Sequence, residues 1–188
     1  MTTTPDGPPV ICIFGSSSRR PGGPLYEQAY AIGHALAEAG YVVANGGYGG
    51  IMAASAKGAK DAGGSTIGIT CTIFRTARGQ PLKPNRYIDR EIPRDDPLSR
   101  IDRMIRMSAG YVVLEGGTGT LSEFGLIWEY VAKGLIAPRP IFVVGDFWKP
   151  VVDRILAARP RHGRNVHCVQ TAEQIVEIAK NAITPPAP

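Results

Sequence analysis

The chain has 188 residues, of which 44% are hydrophobic and 20% charged, and it carries a formal net charge of +5. This length and composition predict one globular domain with a sizeable core and leave no need for a second domain. No segment approaches membrane-spanning length, and the first residues lack the charged and apolar regions of a signal peptide, so we expect a cytoplasmic protein without a membrane partner. We place the domain at residues 9–183, with disordered tails at 1–8 and 184–188.

Much of the positive charge falls in one segment, which carries Arg75, Arg78, Lys83, Arg86 and Arg90. Aromatic residues do not interleave with these charges as they do on a base-stacking surface, so a solvated loop that attracts small anions is favoured. The three cysteines and three histidines have the spacing of neither a disulfide framework nor a metal site. We therefore predict no nucleic-acid partner, no metal and no cofactor.

The first half of the chain contains two turns of small residues that let a ligand approach the backbone. The predicted elements are a strand over 10–14, a helix over 26–39, a strand over 41–44, a helix over 51–62 and a strand over 66–69. Gly15, Ser16 and Ser17 follow the first strand, and Gly46 and Gly47 follow the second. The stretch 70–97 is long and irregular, which predicts a functional loop with room for one short strand.

The second half continues the alternation of helices and strands. The predicted elements are a helix over 98–107, a strand over 111–114, a helix over 121–133, a strand over 141–144, a helix over 149–158, a strand over 166–169 and a helix over 172–182. The helix over 121–133 is apolar on almost every side, so one face covers the sheet and the other is predicted to meet another subunit. We therefore expect a homodimer formed through this helix.

A glycine-rich turn joins the strand over 111–114 to the helix that follows it. Glycines at 116, 117 and 119 precede a helix predicted from Thr120, whose free amides and positive dipole end favour a phosphate. Glu123 lies in the first helical turn and leans back toward the same place. Thr120 and Glu123 also fit a capping box, but a cap does not require three glycines.

Strands with intervening helices predict a doubly wound, Rossmann-like α/β fold, a mostly parallel sheet with helices on both faces in a single domain. Ligands bind such sheets beyond the carboxyl ends of the strands, at the point where the strand order reverses. All three turns lie at carboxyl ends, so we expect them to converge on one crevice. The predicted phosphate- and substrate-binding residues are Gly15, Ser16, Ser17, Gly46, Gly47, Gly116, Gly117, Thr118, Gly119 and Thr120.

Two common nucleotide-binding patterns fit the glycine-rich turn at 116–120 poorly. Ser122 stands where the dinucleotide fingerprint has its third glycine, the turn follows a late strand, and the acid nearest to the ribose-binding position, Asp146, comes late. No Gly-Lys-Ser/Thr sequence follows either glycine-rich turn, so the Walker pattern is absent. A nicotinamide dehydrogenase or P-loop enzyme is therefore disfavoured.

The segment Glu115-Gly-Gly-Thr-Gly-Thr-Leu-Ser-Glu123 resembles the Pro-Gly-Gly-x-Gly-Thr-x-x-Glu signature of the LOG family of cytokinin riboside 5′-monophosphate phosphoribohydrolases. Segments 14–17, 45–52 and 145–150 resemble three further parts of that family, so the resemblance spans about 10–183. It implies hydrolysis of the N-glycosidic bond of a nucleoside 5′-monophosphate, giving free base and ribose 5-phosphate, by a homodimer or larger assembly.

The resemblance also implies a catalytic pair. The family uses an arginine from an Arg-Lys pair ahead of the signature, together with the signature glutamate; these fall on Arg100 and Glu123, with Ile101 in place of the lysine. A carboxylate beside the ribose stabilises an oxocarbenium-like state and orients or deprotonates water. The helix N-terminus is expected to keep Glu123 ionised. Arg100 is expected to hold phosphate or ribose oxygens, or Glu123 itself.

The chain departs from the family pattern at several positions. Glu115 replaces the signature proline and would repel a phosphate unless its side chain points away, Ser122 replaces a common glutamate, and Glu129 replaces a common threonine. The alternative is a non-catalytic carrier of a nucleotide or of molybdenum cofactor, which Ile101 favours, whereas an intact Arg100 favours the enzyme. A lysine decarboxylase is rejected, since no lysine is placed for a Schiff base.

Overall fold

A computed structural model of the protein describes residues 7–183. The predicted tails at 1–6 and 184–188 lie outside the described residues. The strands are β1 (Val10–Phe14), β2 (Val42–Asn45), β3 (Thr66–Cys71), β4 (Arg90–Arg94), β5 (Gly110–Val113), β6 (Ile141–Val144) and β7 (Val166–Val169). The helices are α1 (Pro24–Glu38), α2 (Ile51–Asp61), α3 (Pro97–Met107), α4 (Thr118–Ala132), α5 (Lys149–Ala158) and α6 (Ala172–Ala182). No helix within 7–183 is long and apolar enough to cross a bilayer.

One sheet contains all seven strands in the order β4-β3-β2-β1-β5-β6-β7, and every pairing is parallel. The strand order reverses between β1 and β5, which pair from Ile11 with Gly110 to Phe14 with Val113. The predicted doubly wound parallel sheet is confirmed. The reversal puts the expected ligand crevice beyond Phe14 and Val113.

Two apolar cores cover the two faces of the sheet. Helices α1, α2 and α6 pack on one face, where Ile11 and Ile13 of β1 point. Helices α3, α4 and α5 pack on the other, against Cys12 and Phe14. Alternation along β1 therefore sends successive side chains into different cores, as expected for a strand buried on both faces.

Three local features differ from the sequence-based expectation. Helix α4 begins at Thr118, two residues before the predicted start, because Gly117 is the residue that caps it. Strand β4 is the one short strand for which the stretch 70–97 was predicted to leave room, but its residues were not predicted, and its sequence Arg-Glu-Ile-Pro-Arg is largely exposed at the sheet edge. An edge strand needs no apolar run, so hydrophobic periodicity did not reveal it. A short 3₁₀ helix, Pro160–Asn165, was also not predicted.

Helices α1 and α2 approach so closely at Gly33 that a side chain there has no room. A Cβ built on Gly33 would lie 2.1 Å from the backbone oxygen of Ser55. We expect Gly33→Ala to lower the free energy of unfolding by about 1–3 kcal/mol, because backbone must move and this outweighs the helix propensity gained. Urea denaturation at constant m-value measures the loss.

Gly125→Ala is the matched control, since Gly125 also lies inside a helix but nothing stands within 4 Å of a Cβ built there. This change is expected to leave stability equal or raised by up to about 1 kcal/mol. Equal stabilities for the two variants would contradict the close packing of α1 on α2.

Candidate functional site

A cleft of about 410 Å³ lies beyond the carboxyl ends of β1 and β5. All three predicted turns reach it. The predicted site residues that line it are Gly15, Ser16, Ser17, Gly46, Arg100, Gly117, Thr118, Gly119, Thr120 and Glu123. Gly47 and Gly116 do not line it. The strand order therefore brings together residues that lie in both halves of the chain.

The N-terminus of α4 forms one wall of the cleft. Gly117 is its N-cap residue and no side chain caps the helix, so the amides of the first turn keep their hydrogen-bonding capacity for a ligand. Thr120 is buried at 4% exposure and does not form the capping box with Glu123. A Cβ on Gly116 would lie 2.2 Å from Thr120 Oγ1, so this glycine is needed for packing against that threonine.

Arg100 and Glu123 form an ion pair that lines the cleft. Arg100 Nη1 lies 3.3 Å from Glu123 Oε1, and the two side chains are 8% and 12% exposed. Arg100 Nε also donates to the backbone oxygen of Ile69 at 2.7 Å. The guanidinium lies 5.9 Å from the ring centre of Tyr48 and 5.7 Å from that of Phe74. These contacts fix the orientation of Arg100 in a site where an exposed arginine would be free to turn.

Burial raises the pKa of Glu123 to about 7, and Arg100 partly opposes this shift. The helix N-terminus was expected to favour the ionised form of this carboxyl, but its pKa rises because desolvation of the carboxylate outweighs the charge of Arg100. At neutral pH the protonated and ionised forms are both populated. Glu123 is thus able both to accept and to donate a proton near pH 7.

The raised pKa predicts that ionisation of Glu123 costs stability. Above the ordinary value of 4.5, the unfolded chain loses this proton while the folded chain keeps it up to about pH 7. The contribution of Glu123 to the free energy of unfolding is therefore highest at low pH and falls across this window, by on the order of 3 kcal/mol. Glu123→Gln is neutral at every pH and is expected to lack this part of the decline.

Urea denaturation of both proteins at pH 5 and pH 8 makes the comparison. Other titrating groups are common to the two proteins and cancel in the difference. Parallel declines in wild type and variant would show that the carboxyl titrates normally in the fold.

The turn after β2 packs against the guanidinium of Arg100. Gly46 faces the guanidinium so closely that a Cβ there would lie 1.8 Å from Arg100 Nη2. The buried side chain of Asn45 holds this turn, since it donates to the backbone oxygen of Met52 and accepts from the amide of Gly47. Gly47 has φ of 80° and packs against Thr70, away from the cleft.

Glu115, which follows β5, does not line the cleft. Its carboxylate accepts a hydrogen bond from the guanidinium of Arg19, and the two form an ion pair at the surface. Its backbone oxygen accepts from the amide of Ser16, which ties the first turn to the third. The repulsion between this carboxylate and a bound phosphate, expected from the sequence, is therefore reduced by the pairing with Arg19.

The sequence did not single out several residues that line the cleft: Ile13, Phe14, Ser18, Met52 and Phe74. Phe74 belongs to the long stretch predicted to be a functional loop, and that prediction pointed to the right segment without naming the residue. Met52 was visible as part of the resembling segment 45–52. No pattern marked Phe74, because a single aromatic residue in a loop has no periodicity to detect.

The outward face of α4 is available for a partner. Leu121 is 46% exposed, Leu126 is partly buried, and Glu129 is exposed. The helix is therefore not buried on every side within one chain. Among residues 7–183 no group of three or more potential ligands is arranged to hold a metal ion.

The chain is similar to proteins in several organisms. A model of the SLOG cluster4 family matches residues 8–176. An uncharacterized protein of Archaeoglobus fulgidus is 38% identical over 120 residues, which covers 64% of this chain and 75% of that protein. These matches place the LOG resemblance at the broader level of SLOG cluster4 and do not single out the phosphoribohydrolases.

Two solved structures share the fold over almost the whole chain. The molybdenum cofactor binding protein from the phototrophic bacterium Rippkaea orientalis is 25% identical, with a TM-score of 0.72, and the match covers 94% of this chain and 98% of that one. The molybdenum cofactor carrier protein from Chlamydomonas reinhardtii is 22% identical, with a TM-score of 0.72 and the same coverages. The latter likeness shows the fold alone.

The exclusion of nucleic acid as a partner is not supported. DNA processing protein A from Helicobacter pylori, described for its single-stranded DNA binding mode, has a TM-score of 0.60 to this chain at 16% identity. The match covers 94% of this chain and 82% of that one. This likeness shows that the same fold occurs in a protein that binds DNA.

Proposed function

The chain belongs to the SLOG cluster4 family, and we propose that it hydrolyses the N-glycosidic bond of a nucleoside 5′-monophosphate. The products are the free base and ribose 5-phosphate. One observation carries the proposal: the buried pair of Arg100 and Glu123 lines the same cleft as the uncapped N-terminus of α4. A phosphate site and a carboxylate with a raised pKa thereby lie within one small volume.

The phosphate is placed at Gly117–Thr120. Free amides at the start of α4 and the positive end of its dipole favour a dianion there. Neither Gly117 nor Gly119 has an atom within 4 Å of a built Cβ, so their hydrogen-only side chains leave space for phosphate oxygens. The hydroxyls of Ser16 and Ser17 border the same space and add hydrogen-bond donors.

Glu123 is placed beside the ribose. Cleavage of the bond between C1′ and the base nitrogen leaves the electron pair on the base and positive charge on the sugar, which an ionised carboxylate stabilises. Water then adds to C1′ and gives a proton to Glu123. The base anion takes up one proton from solvent and Glu123 later releases one to solvent, so the net reaction consumes one water. A pKa of about 7 suits this exchange, because neither form of the carboxyl is strongly favoured at neutral pH.

Arg100 keeps Glu123 in position and moderates its pKa. Its guanidinium has a second anchor on the backbone oxygen of Ile69, so the ion pair does not depend on the ligand. Phe74 and Met52 supply apolar surface in the cleft, which suits the face of a purine. AMP and isopentenyladenosine monophosphate are the substrates that this arrangement and the LOG resemblance favour.

Incubation with AMP tests the proposal. We expect adenine and ribose 5-phosphate in equal amounts, measured by chromatography. Adenosine is the matched control substrate, because it lacks only the phosphate, and we expect its cleavage to be slower by at least about 10²-fold. Equal rates for the two substrates would overturn the placement of phosphate at α4.

The second candidate function is binding without catalysis, of a nucleotide or of molybdenum cofactor. Ile101 supports it, since it is 6% exposed in the core and supplies no second cation beside Arg100. The likeness to the Rippkaea orientalis protein points the same way. Tight binding of AMP with no release of adenine, in wild type and in Glu123→Gln alike, would favour this function.

A homodimer through the outward face of α4 is part of the proposal. Leu121 is 46% exposed there, and Leu126 on the same helix is only partly buried. We expect sedimentation velocity to show a dimer for the wild type and a monomer for Leu121→Glu, whose charge would be buried in the contact. A monomeric wild type would contradict this assembly.

A further inference from the structure

A second cavity, of about 630 Å³, lies beside the cleft and shares Ser18 with it. Residues 18–26, which lead into α1, line one side of it, and Glu115, two residues after the end of β5, lines the other. The lining residues used here are Ser18, Arg19, Arg20, Gly23, Tyr26 and Glu115. No part of the proposed reaction uses this cavity. The two cavities meet at Ser18, next to Ser16 and Ser17 of the first turn.

Positive charge dominates the lining of this cavity. Arg19 is paired with the carboxylate of Glu115, whereas no carboxylate within residues 7–183 pairs with Arg20. Gly23 is the N-cap residue of α1, whose N-terminus lies at the cavity, and Glu27 of its first turn accepts a hydrogen bond from the amide of Gly22, so this carboxylate offsets part of the positive charge there. Glu115 is the single acid among the residues that line the cavity, and it is engaged by Arg19.

We propose that this cavity is a second anion subsite, which takes the outer phosphate of a nucleoside 5′-diphosphate. The inference rests on the proposed function, because the inner phosphate is taken to lie at Gly117–Thr120. The outer phosphate then displaces the carboxylate of Glu115 from Arg19 and lies between Arg19 and Arg20. In the absence of the ligand, the carboxylate of Glu115 occupies the position on Arg19 that this phosphate would take.

The exchange at Arg19 favours the phosphate. An ion pair between side chains that are 42% and 31% exposed is weak, because water solvates both partners, so its loss costs little. A phosphate offers more charge and more acceptor oxygens than a carboxylate and forms bidentate bonds with a guanidinium. The freed carboxylate of Glu115 is re-solvated at the surface. Selectivity for two phosphates over one thereby comes from residues outside the cleft.

Isothermal titration with ADP and with AMP tests the subsite, in the Glu123→Gln background, where the ligand is bound but the release of base is slow. We expect ADP to bind about tenfold more tightly than AMP, since one charge-assisted contact is gained. Arg19→Ala is expected to remove this difference by weakening ADP binding. Glu115→Gln is expected to increase the preference for ADP, because the competing charge is gone. Both side chains lie at the surface, and thermal melts check that the variants fold.

Arg106→Ala is the matched control. Arg106 is ion-paired with Asp102 and 52% exposed, which resembles the state of Arg19, but it lies on α3 and lines neither cavity. Its loss removes one positive charge and is expected to leave the ratio of ADP to AMP affinity unchanged. A ratio that falls equally in Arg19→Ala and Arg106→Ala would show a general charge effect and overturn the subsite.

The outcomes separate this inference from the function on which it rests. If AMP binds and ADP binds no more tightly, the second subsite is overturned and the phosphate site at α4 stands. If neither nucleotide binds, the proposed function is overturned and the second subsite with it. A preference for ADP that Arg19→Ala abolishes and Glu115→Gln strengthens supports both.

Discussion

Replacement of Glu123 by glutamine is expected to lower the rate of base release from AMP by about 10²–10⁴-fold. The glutamine has nearly the same shape, so it still fits beside Arg100, but it neither carries negative charge nor accepts the proton of water. The loss is expected in kcat, because the proposed mechanism puts Glu123 beside the ribose and leaves the phosphate at α4, which the change does not touch. Steady-state kinetics with AMP, and titration of AMP into the variant, measure the two quantities.

Glu129→Gln provides the control on the same helix. Glu129 is exposed and does not line the cleft, so the identical chemical change is expected to leave kcat within twofold. A Glu123→Gln variant that keeps wild-type kcat would remove the carboxylate from the mechanism. A variant that binds AMP only weakly would instead assign Glu123 to binding.

Gly46→Ala is expected to reduce kcat by about 10²-fold and to cost about 1–3 kcal/mol of stability, because it disturbs the buried ion pair of Arg100 and Glu123. The new methyl group would lie 1.8 Å from Arg100 Nη2 and 2.6 Å from Met52 Sδ. Both atoms are near the ends of flexible side chains, so the clash is relieved by moving Arg100 and the backbone stays in place. Arg100 then leaves Glu123, and a displacement of about 1 Å in such a pair is enough for a loss of this size.

The pH dependence of kcat is a second readout for this variant. Arg100 lowers the pKa of Glu123, so its displacement is expected to move the pKa above about 7 and shift the activity profile toward higher pH. Gly125→Ala, where the added methyl group meets nothing within 4 Å, is the control and is expected to keep the wild-type profile. A Gly46→Ala protein that keeps the wild-type kcat and pH profile would show that Arg100 stays on Glu123 despite the added methyl group.

Hydrophobic pattern was enough to predict the central sheet, but not its edge. β1, β5 and β6 are short apolar runs that periodicity detects directly, and the turns after β1 and β5 contain residues that line the cleft. β4 is held by pairing with β3 and by its position at the sheet edge, neither of which appears in its own sequence. Long-range pairing of this kind is decided by the fold as a whole.

The candidate site was predictable where backbone geometry determines it and not where burial does. The glycines before α4 indicated an uncapped helix start, and Gly117 and Gly119 lie where that requires. The sequence indicated only the helix N-terminus, which favours the ionised form of Glu123, whereas burial of the carboxyl, which raises its pKa, depends on the packing of the whole fold. Likewise, a glycine that is needed because a side chain packs against it, such as Gly116 against Thr120, cannot be told from the sequence apart from a glycine that faces a ligand.

The reversal of strand order between β1 and β5 makes the cleft a joint between distant parts of the chain. The first half of the chain contributes residues 13–18, Gly46, Met52 and Phe74 to its lining, and the second half contributes Arg100, residues 117–120 and Glu123. A growing polypeptide therefore has no nucleotide site until β5 has emerged and docked beside β1. A nucleotide that contacts residues from both halves of the chain would stabilise the pairing of β1 with β5. It is expected to slow amide hydrogen exchange along both strands, although it lies only at their carboxyl ends.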